Sequence, residues 1–179
     1  AAVAKLRKSP IIGFDTETRP SFRKGQVYNA ALLQLSTRDC CYLFRLNRIG
    51  LRKEVMELLE DEHLLKVGLS IKDDFMNLNK LKELHPEGFV DLQSYVKQFG
   101  IADNSLQRIY GILFGERISK GQRLTNWEAE QLSEAQMQYA ALDALACIKI
   151  YDYLSAGNFN PNTSEYLRPI IVEDEGEII

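Results

Sequence analysis

Histidine, cysteine and long apolar runs are all scarce in this chain of 179 residues. Its two histidines are His63 and His85. Each sits among polar, loop-like neighbours, which favours surface or capping roles over a Ser-His or Cys-His catalytic pair. The cysteines are Cys40, Cys41 and Cys147. An odd number without C-x-x-C spacing fits a reducing compartment and offers no zinc site. No apolar run approaches the length needed to span a bilayer, so no membrane partner is expected. A secretory pattern is lacking too, because the opening "AAVAKLRKSP" is mixed and charged. A cytoplasmic location is expected, with a nuclear one left open. Nor is there a strong excess of one charge: 22 Lys+Arg against 25 Asp+Glu leave a net −3. That excludes a polybasic binder but leaves room for local positive charge. The absence of an initiator methionine suggests a piece trimmed from a longer chain, with flanking domains outside it. What remains is 45% hydrophobic and 26% charged, an ordinary soluble composition whose length suits one domain with a sizeable core.

Periodicity and punctuation predict an α/β order. "PIIGFDTET" (10–18) reads as a buried strand, and "AALLQLSTRD" (30–39) and "CCYLFRL" (40–46) as two more. Such close spacing predicts an antiparallel meander with a turn near Arg38 and Asp39. A helix follows over 51–61, apolar at Leu51, Val55, Leu58 and Leu59. "HLLKVGLS" (63–70) is a fourth strand, 73–85 a helix with acids in its first turn, and "EGFVDL" (87–92) a short fifth strand. Helices are predicted over 92–100, ending at Gly100, and over 104–115, capped by Asn104 or Ser105 and stopped by Gly115. A polar, basic loop, "ERISKGQRLTNW" (116–127), leads to a long helix capped at Ser133 and stopped by Gly157. With no internal repeat and no interior linker, residues 1–157 read as one domain. Residues 158–179, with Pro161, Pro169 and an acidic end, read as a loosely packed or disordered extension.

Two carboxylates close the first strand. Residues two apart share a strand face, so Ile11, Gly13, Asp15 and Glu17 point one way, and Ile12, Phe14 and Thr16 the other. Acids are poor strand formers and costly to bury. Asp15 and Glu17 converge at the carboxyl end of the strand, the edge at which open α/β sheets bind ligands. They repel unless a cation compensates, and no Lys or Arg flanks them before Arg19. A hard divalent cation, Mg²⁺ or Mn²⁺, suits oxygen ligands; a strand that simply ends in solvated acids is the plainer alternative. In the long helix, Tyr139 and Asp143 stand at i and i+4, beside the largely apolar stripe of Leu142, Ala146 and Ile150. An Asp there needs a buried Lys or Arg, or the same metal. A third acidic pair, Asp73 and Asp74, falls where the fourth strand meets a helix. There one acid could cap the helix while the other faces the cleft. Three acidic sites on three elements suit two metal ions clamping a phosphoryl displacement.

These residues resemble the motifs of the DEDD superfamily of 3′–5′ exonucleases, tyrosine subtype, in the branch of ribonuclease D and Werner-type exonucleases. "FDTET" matches the first motif through Asp15 and Glu17. "VGLSIKDDFMNL" matches the second in a register that selects Asp74 over Asp73. "YAALDA" matches the third through Tyr139 and Asp143. "ALLQLS" with Gln34, "VDLQ" with Asp91, "NSL" at 104–106, and the stretch carrying Lys120, Asn126 and Trp127 are supporting matches. The resemblance runs in order over residues 8 to 155, and motifs at this spacing are specific. It implies a ribonuclease H-like fold: a mixed five-stranded sheet, its first three strands antiparallel, flanked by helices.

By the same resemblance, two cations are expected. One is held by Asp15, Glu17 and Asp143, and the second by Asp15 with support from Asp74. The partner implied is single-stranded or 3′-end nucleic acid, DNA or RNA, and the product a nucleoside 5′-monophosphate. Tyr139, with an ordinary pKa of about 10, is expected to aim the attacking water and not to act as a strong base. Lys120 and Arg123 could meet backbone phosphates or remain solvated loop charges. Trp127 could stack on a base or anchor the loop in the core. Gln34 could contact the terminal nucleotide or satisfy a strand edge. Phe75, Met76 and Leu78 read as core. The RNA-binding or helicase domains common in this branch do not fit in the residues after 155, which leaves the choice of DNA or RNA open. Two other readings stand beside this one: an inactive nucleic-acid-binding domain of the same fold, and a haloacid-dehalogenase-type phosphatase.

Overall fold

In the computed structural model, which describes residues 1–163, β1 (Ile12–Thr18), β2 (Ala30–Ser36), β3 (Cys41–Arg45), β4 (Lys66–Gly68) and β5 (Phe89–Asp91) form one sheet. The strand order is β3-β2-β1-β4-β5. β1, β2 and β3 make the antiparallel meander, whereas β4 joins β1, and β5 joins β4, in parallel. The helices are α1 (Ala2–Arg7), α2 (Leu46–Ile49), α3 (Lys53–Glu60), α4 (Ile71–Leu81), α5 (Leu92–Tyr95), α6 (Leu106–Phe114) and α7 (Glu134–Ser155). This is the mixed five-stranded sheet flanked by helices expected from the sequence.

The alternation along β1 sorts the core into two layers. Ile12 and Phe14 pack with Leu6, Leu58, Leu59 and Leu78 beneath α1, α3 and α4. Ile11 faces the opposite side, with Val67, Leu92, Ile109, Ile148 and Ile150 under α6 and α7. α7 lies across four strands, from β3 to β4. It begins in a capping box, in which Ser133 Oγ accepts from the Gln136 backbone N–H and the Gln136 side chain accepts from the Ser133 N–H.

Boundaries differ from the expectation where local signals are weak. The fourth strand shrinks to three residues. The helix after β5 tightens into a 3₁₀ turn over Val96–Phe99 before Gly100, whose φ is 80°. α1 was not foreseen, since its six residues bury only Leu6 and carry no period. Lys66 reads as part of an apolar strand and is fully buried. Its Nζ donates to the carbonyls of Leu58 (2.8 Å) and Asp61 (2.6 Å) at the end of α3, where the helix dipole favours a cation. Burial lowers its pKa to about 8. Met76, expected in the core, is 62% exposed, and Leu142 is 55% exposed; both sit on outward faces of their helices. Of the C-terminal extension, 158–163 are described, with Phe159 packed against the core and a 3₁₀ turn at Pro161–Thr163. The reading of 164–179 as loose lies outside the described residues.

Candidate active site

The end of β1 carries the acids because the rest of the strand is already committed. Asp15 stands opposite Gln34 of β2 and Glu17 opposite Leu32, both on the face covered by α7. Asp143 descends from α7 onto the same spot. One carboxylate oxygen from each of Asp15, Glu17 and Asp143 lies within 4.8 Å of the others. Asp143 and Glu17 are buried, and Asp143 Oδ1 has no hydrogen-bond partner. Among the described residues no Lys or Arg pairs with any of the three. The buried lysine, Lys66, serves α3 instead.

The electrostatic cost decides what this cluster can be. Two unit charges 4.8 Å apart repel by roughly 3 kcal/mol at an effective dielectric constant of about 20. Three such pairs approach the whole folding free energy of a domain, about 5–15 kcal/mol. Without a cation the group must therefore take up protons. Burial, with Glu17, Asp74 and Asp143 adding repulsion, holds Asp15 well above the usual carboxylate range. Burial and Asp143 raise Glu17 to about 8, against a partial offset from the Gln34 hydrogen bond. Burial raises Asp143 to about 7, offset in part by the Tyr139 hydroxyl. An orphaned buried oxygen and three converging hard donors fit a divalent cation.

Asp74 approaches from the other side of the sheet. It is half-buried, whereas Asp73 is exposed. Its Oδ1 accepts from the hydroxyl of Thr16, the residue between the two strand acids. Burial raises its pKa to about 6, and the Thr16 hydrogen bond opposes the shift. Its oxygens lie outside the tight three-acid group. Neither Asp73 nor Asp74 caps α4, contrary to the expectation that one would. The cap comes from the next strand: the Asp91 carboxylate accepts from the N–H of Ser70 (2.9 Å), Ile71 (3.2 Å) and Gln93 (2.9 Å). Asp91 thereby holds Ser70 at φ 55° and anchors the helix that carries Asp74.

Tyr139 lies one turn before Asp143 with its ring 6.0 Å from Trp127. Burial, then Asp143, Glu17 and Asp15, push its phenol above the ordinary value, so the hydroxyl stays protonated. Lys120 and Arg123, from the loop before α7, line an open cleft of about 290 Å³ together with Asp15, Glu17, Tyr139 and Asp143. Two residues read as either substrate contacts or structural ones take structural places here. Trp127 is fully buried, with its Nε1 donating to the Arg123 carbonyl at 3.4 Å; it anchors the loop and has no face free for a base. Gln34 is fully buried in an interior strand, and its Nε2 donates to Glu17 Oε1 and to the Ala140 carbonyl, both at 3.3 Å. It braces a carboxylate and does not reach the cleft. Thr16 was not singled out in the sequence, although its place between two acids was the available signal.

Residues 1–156 match the 3′-5′ exonuclease domain family. The chain is similar to a Drosophila melanogaster protein named exonuclease 3′-5′ domain-containing protein 2, with 34% identity over 80% of this chain and 25% of that one. It is also similar to the Mus musculus bifunctional 3′-5′ exonuclease/ATP-dependent helicase WRN, with 30% identity over 84% of this chain and 11% of that one. The chain thus spans a quarter or less of these two relatives. Among solved structures, the Aedes aegypti Nibbler EXO domain superposes with a TM-score of 0.74 at 21% identity, over 90% of this chain and 86% of that one, a likeness of fold.

Proposed function

The chain belongs to the 3′-5′ exonuclease family, and from that premise we propose that it removes nucleotides from the 3′ end of a DNA or RNA strand and releases nucleoside 5′-monophosphates. The observation that carries the reading is the convergence of Asp15, Glu17 and Asp143 within 4.8 Å, with no ion pair to a Lys or Arg among the described residues. Two divalent cations, Mg²⁺ or Mn²⁺, would supply Lewis acidity and a readily ionised water there. Asp15, Glu17 and Asp143 would hold one, and Asp15 with Asp74 the other. Thr16 keeps Asp74 oriented, and Gln34 keeps Glu17 oriented. The protonated Tyr139 hydroxyl serves as a fixed hydrogen-bonding group that orients the attacking water. Lys120 and Arg123 sit on the rim of the cleft, where a phosphodiester would meet its first positive charge. The phosphatase alternative has no place in this family; an inactive binding domain would keep the fold without the chemistry.

The test is digestion of single strands labelled at the 5′ end, as DNA and as RNA. Stepwise shortening with Mg²⁺ or Mn²⁺, abolished by a chelator and accompanied by 5′-monophosphates, is the expected result. Strand binding without shortening under any metal would establish the inactive-domain reading instead.

A further inference from the structure

Beyond the acidic cleft, toward α6, lies a second and larger groove of about 790 Å³. Ser105, Gln107 and Lys120 line both, so the two are continuous. Arg108, Arg117 and Ser119 complete its polar wall, and among the described residues no carboxylate lines it. Arg117, Lys120 and Arg123 are exposed and take part in no ion pair among the described residues. Other arginines are neutralised: Arg38 by Asp152 at 2.8 Å, Arg108 by Asp103 at 3.1 Å and Arg19 by Glu128 at 3.6 Å. In a chain of net charge −3, Arg117 and Lys120 in this groove, followed by Arg123 at the cleft where it faces Glu17, make a local positive field along one path.

Another groove offers the contrast. It is lined by Arg19, Phe22, Arg23, Tyr28 and Leu124, shares no lining residue with the cleft, and has its Arg19 already stacked 4.8 Å over Tyr28. Arg23 there is exposed and also takes part in no ion pair among the described residues, so it is continuity with the cleft that favours the α6 side.

The geometry points to this α6-side groove as the bed for the phosphodiester backbone of the strand upstream of its 3′ end, with Arg117 as an anchoring cation outside the cleft. The inference rests on the exonuclease reading and adds to it a direction and a minimum strand length. The occupant is a single-stranded polyanion, DNA or RNA, recognised by charge.

Equilibrium binding by fluorescence anisotropy, with Ca²⁺ in place of the activating metal, tests it. The probes are DNA and RNA strands of about twelve nucleotides and a dinucleotide. Arg117→Glu should weaken binding of the long strands about tenfold, and the dinucleotide by much less. Arg117→Ala should lower the salt slope by about 0.7, the share of one phosphate contact on a single strand. Arg23→Glu makes the same change of net charge on the other groove and should leave long-strand binding near wild type. Equal losses for Arg117→Glu and Arg23→Glu, or equal losses on long strand and dinucleotide, would overturn the groove. A difference between the DNA and RNA arms would identify the source of the strand. A wild-type protein that binds and shortens no strand removes the exonuclease reading itself, an outcome separate from failure of the groove alone.

Discussion

Gly13 of β1 and Ala144 of α7 meet backbone to backbone. A Cβ built on Gly13 would collide with the Ala144 carbonyl oxygen and lie 2.8 Å from its carbonyl carbon. Ala144 follows Asp143. The missing side chain at Gly13 is thus what lets α7 settle low enough for Asp143 to join Asp15 and Glu17 from the strand beneath.

Gly13→Ala should therefore damage the site more than the fold. Overpacking of this kind costs about 1–3 kcal/mol, and relief requires α7 to rise. Melting temperature should fall modestly while metal affinity falls by at least about tenfold, measured by Mn²⁺ titration. Wild-type affinity in a folded Gly13→Ala protein would show that the close approach does not set the position of Asp143.

The metal-free protein should lose stability as pH rises from about 4 to 8. Asp74, Asp143 and Glu17 have folded pKa values of about 6, 7 and 8, above the ordinary carboxylate value of about 4 in the unfolded chain. The folded state binds more protons in that window, so each upward step favours unfolding. A saturating divalent cation should reverse the trend, adding about 2.7 kcal/mol at a hundred times its dissociation constant, with affinity rising with pH as protons stop competing. Thermal melts across pH with and without Mg²⁺ check both signs; parallel curves would mean that the cation does not bind these acids.

Asp74→Asn should abolish most hydrolysis and Asp73→Asn should leave it close to wild type. The half-buried Asp74 is held by Thr16, while Asp73 faces solvent. Activity assays at matched stability decide it, and a dead Asp73→Asn variant would shift the proposed ligand by one residue.

Gln34→Met should separate bracing from stability. The substitution keeps the volume and deletes the two Nε2 hydrogen bonds. Gln34 Oε1 already lacks a partner, so metal-free stability should move by less than about 1 kcal/mol. Metal affinity or activity should fall on the order of 10–100-fold, the usual effect of losing a partner behind a metal ligand. A large drop in melting temperature with unchanged metal affinity would make Gln34 a purely structural residue.

How much of this was legible depended on the range of the signal. Strand alternation alone put Asp15 and Glu17 on one face and Thr16 on the other, because a period of two needs only neighbours. The i, i+4 spacing of Tyr139 and Asp143 was equally local. What stayed hidden was long-range. Gln34 reads as either a cleft contact or a strand-edge residue until β2 is known to lie inside the sheet. Trp127 reads as a stacking platform or a core anchor until α7 closes over it. Asp91 caps a helix 20 residues earlier in the chain, and no local pattern announces that. The α6 groove likewise joins Ser105 to Lys120 across a helix and a loop.

Tyr139 and Asp143 offer the sharpest separation of roles. Asp143 is buried, carries an oxygen without a partner and stands within 4.8 Å of two other acids. Asp143→Asn removes a charge from that group, so metal affinity and hydrolysis should fall together, by more than the 10–100-fold typical of an outer partner. The same change removes repulsion, so the metal-free protein should melt higher. Tyr139 lines the same cleft and packs its ring on Trp127, but burial and the neighbouring acids keep its phenol protonated. Tyr139→Phe keeps the ring and the packing and deletes the hydroxyl. Metal affinity and strand affinity should stay near wild type, while the single-turnover rate falls roughly ten- to a hundredfold for loss of an orienting group. The pH–rate profile should keep its shape, because a hydroxyl that stays protonated contributes no titration near neutrality. If Tyr139→Phe cleaved at the wild-type rate, Tyr139 would be a packing residue on the inner face of α7, and the water would have to be oriented by the acids alone.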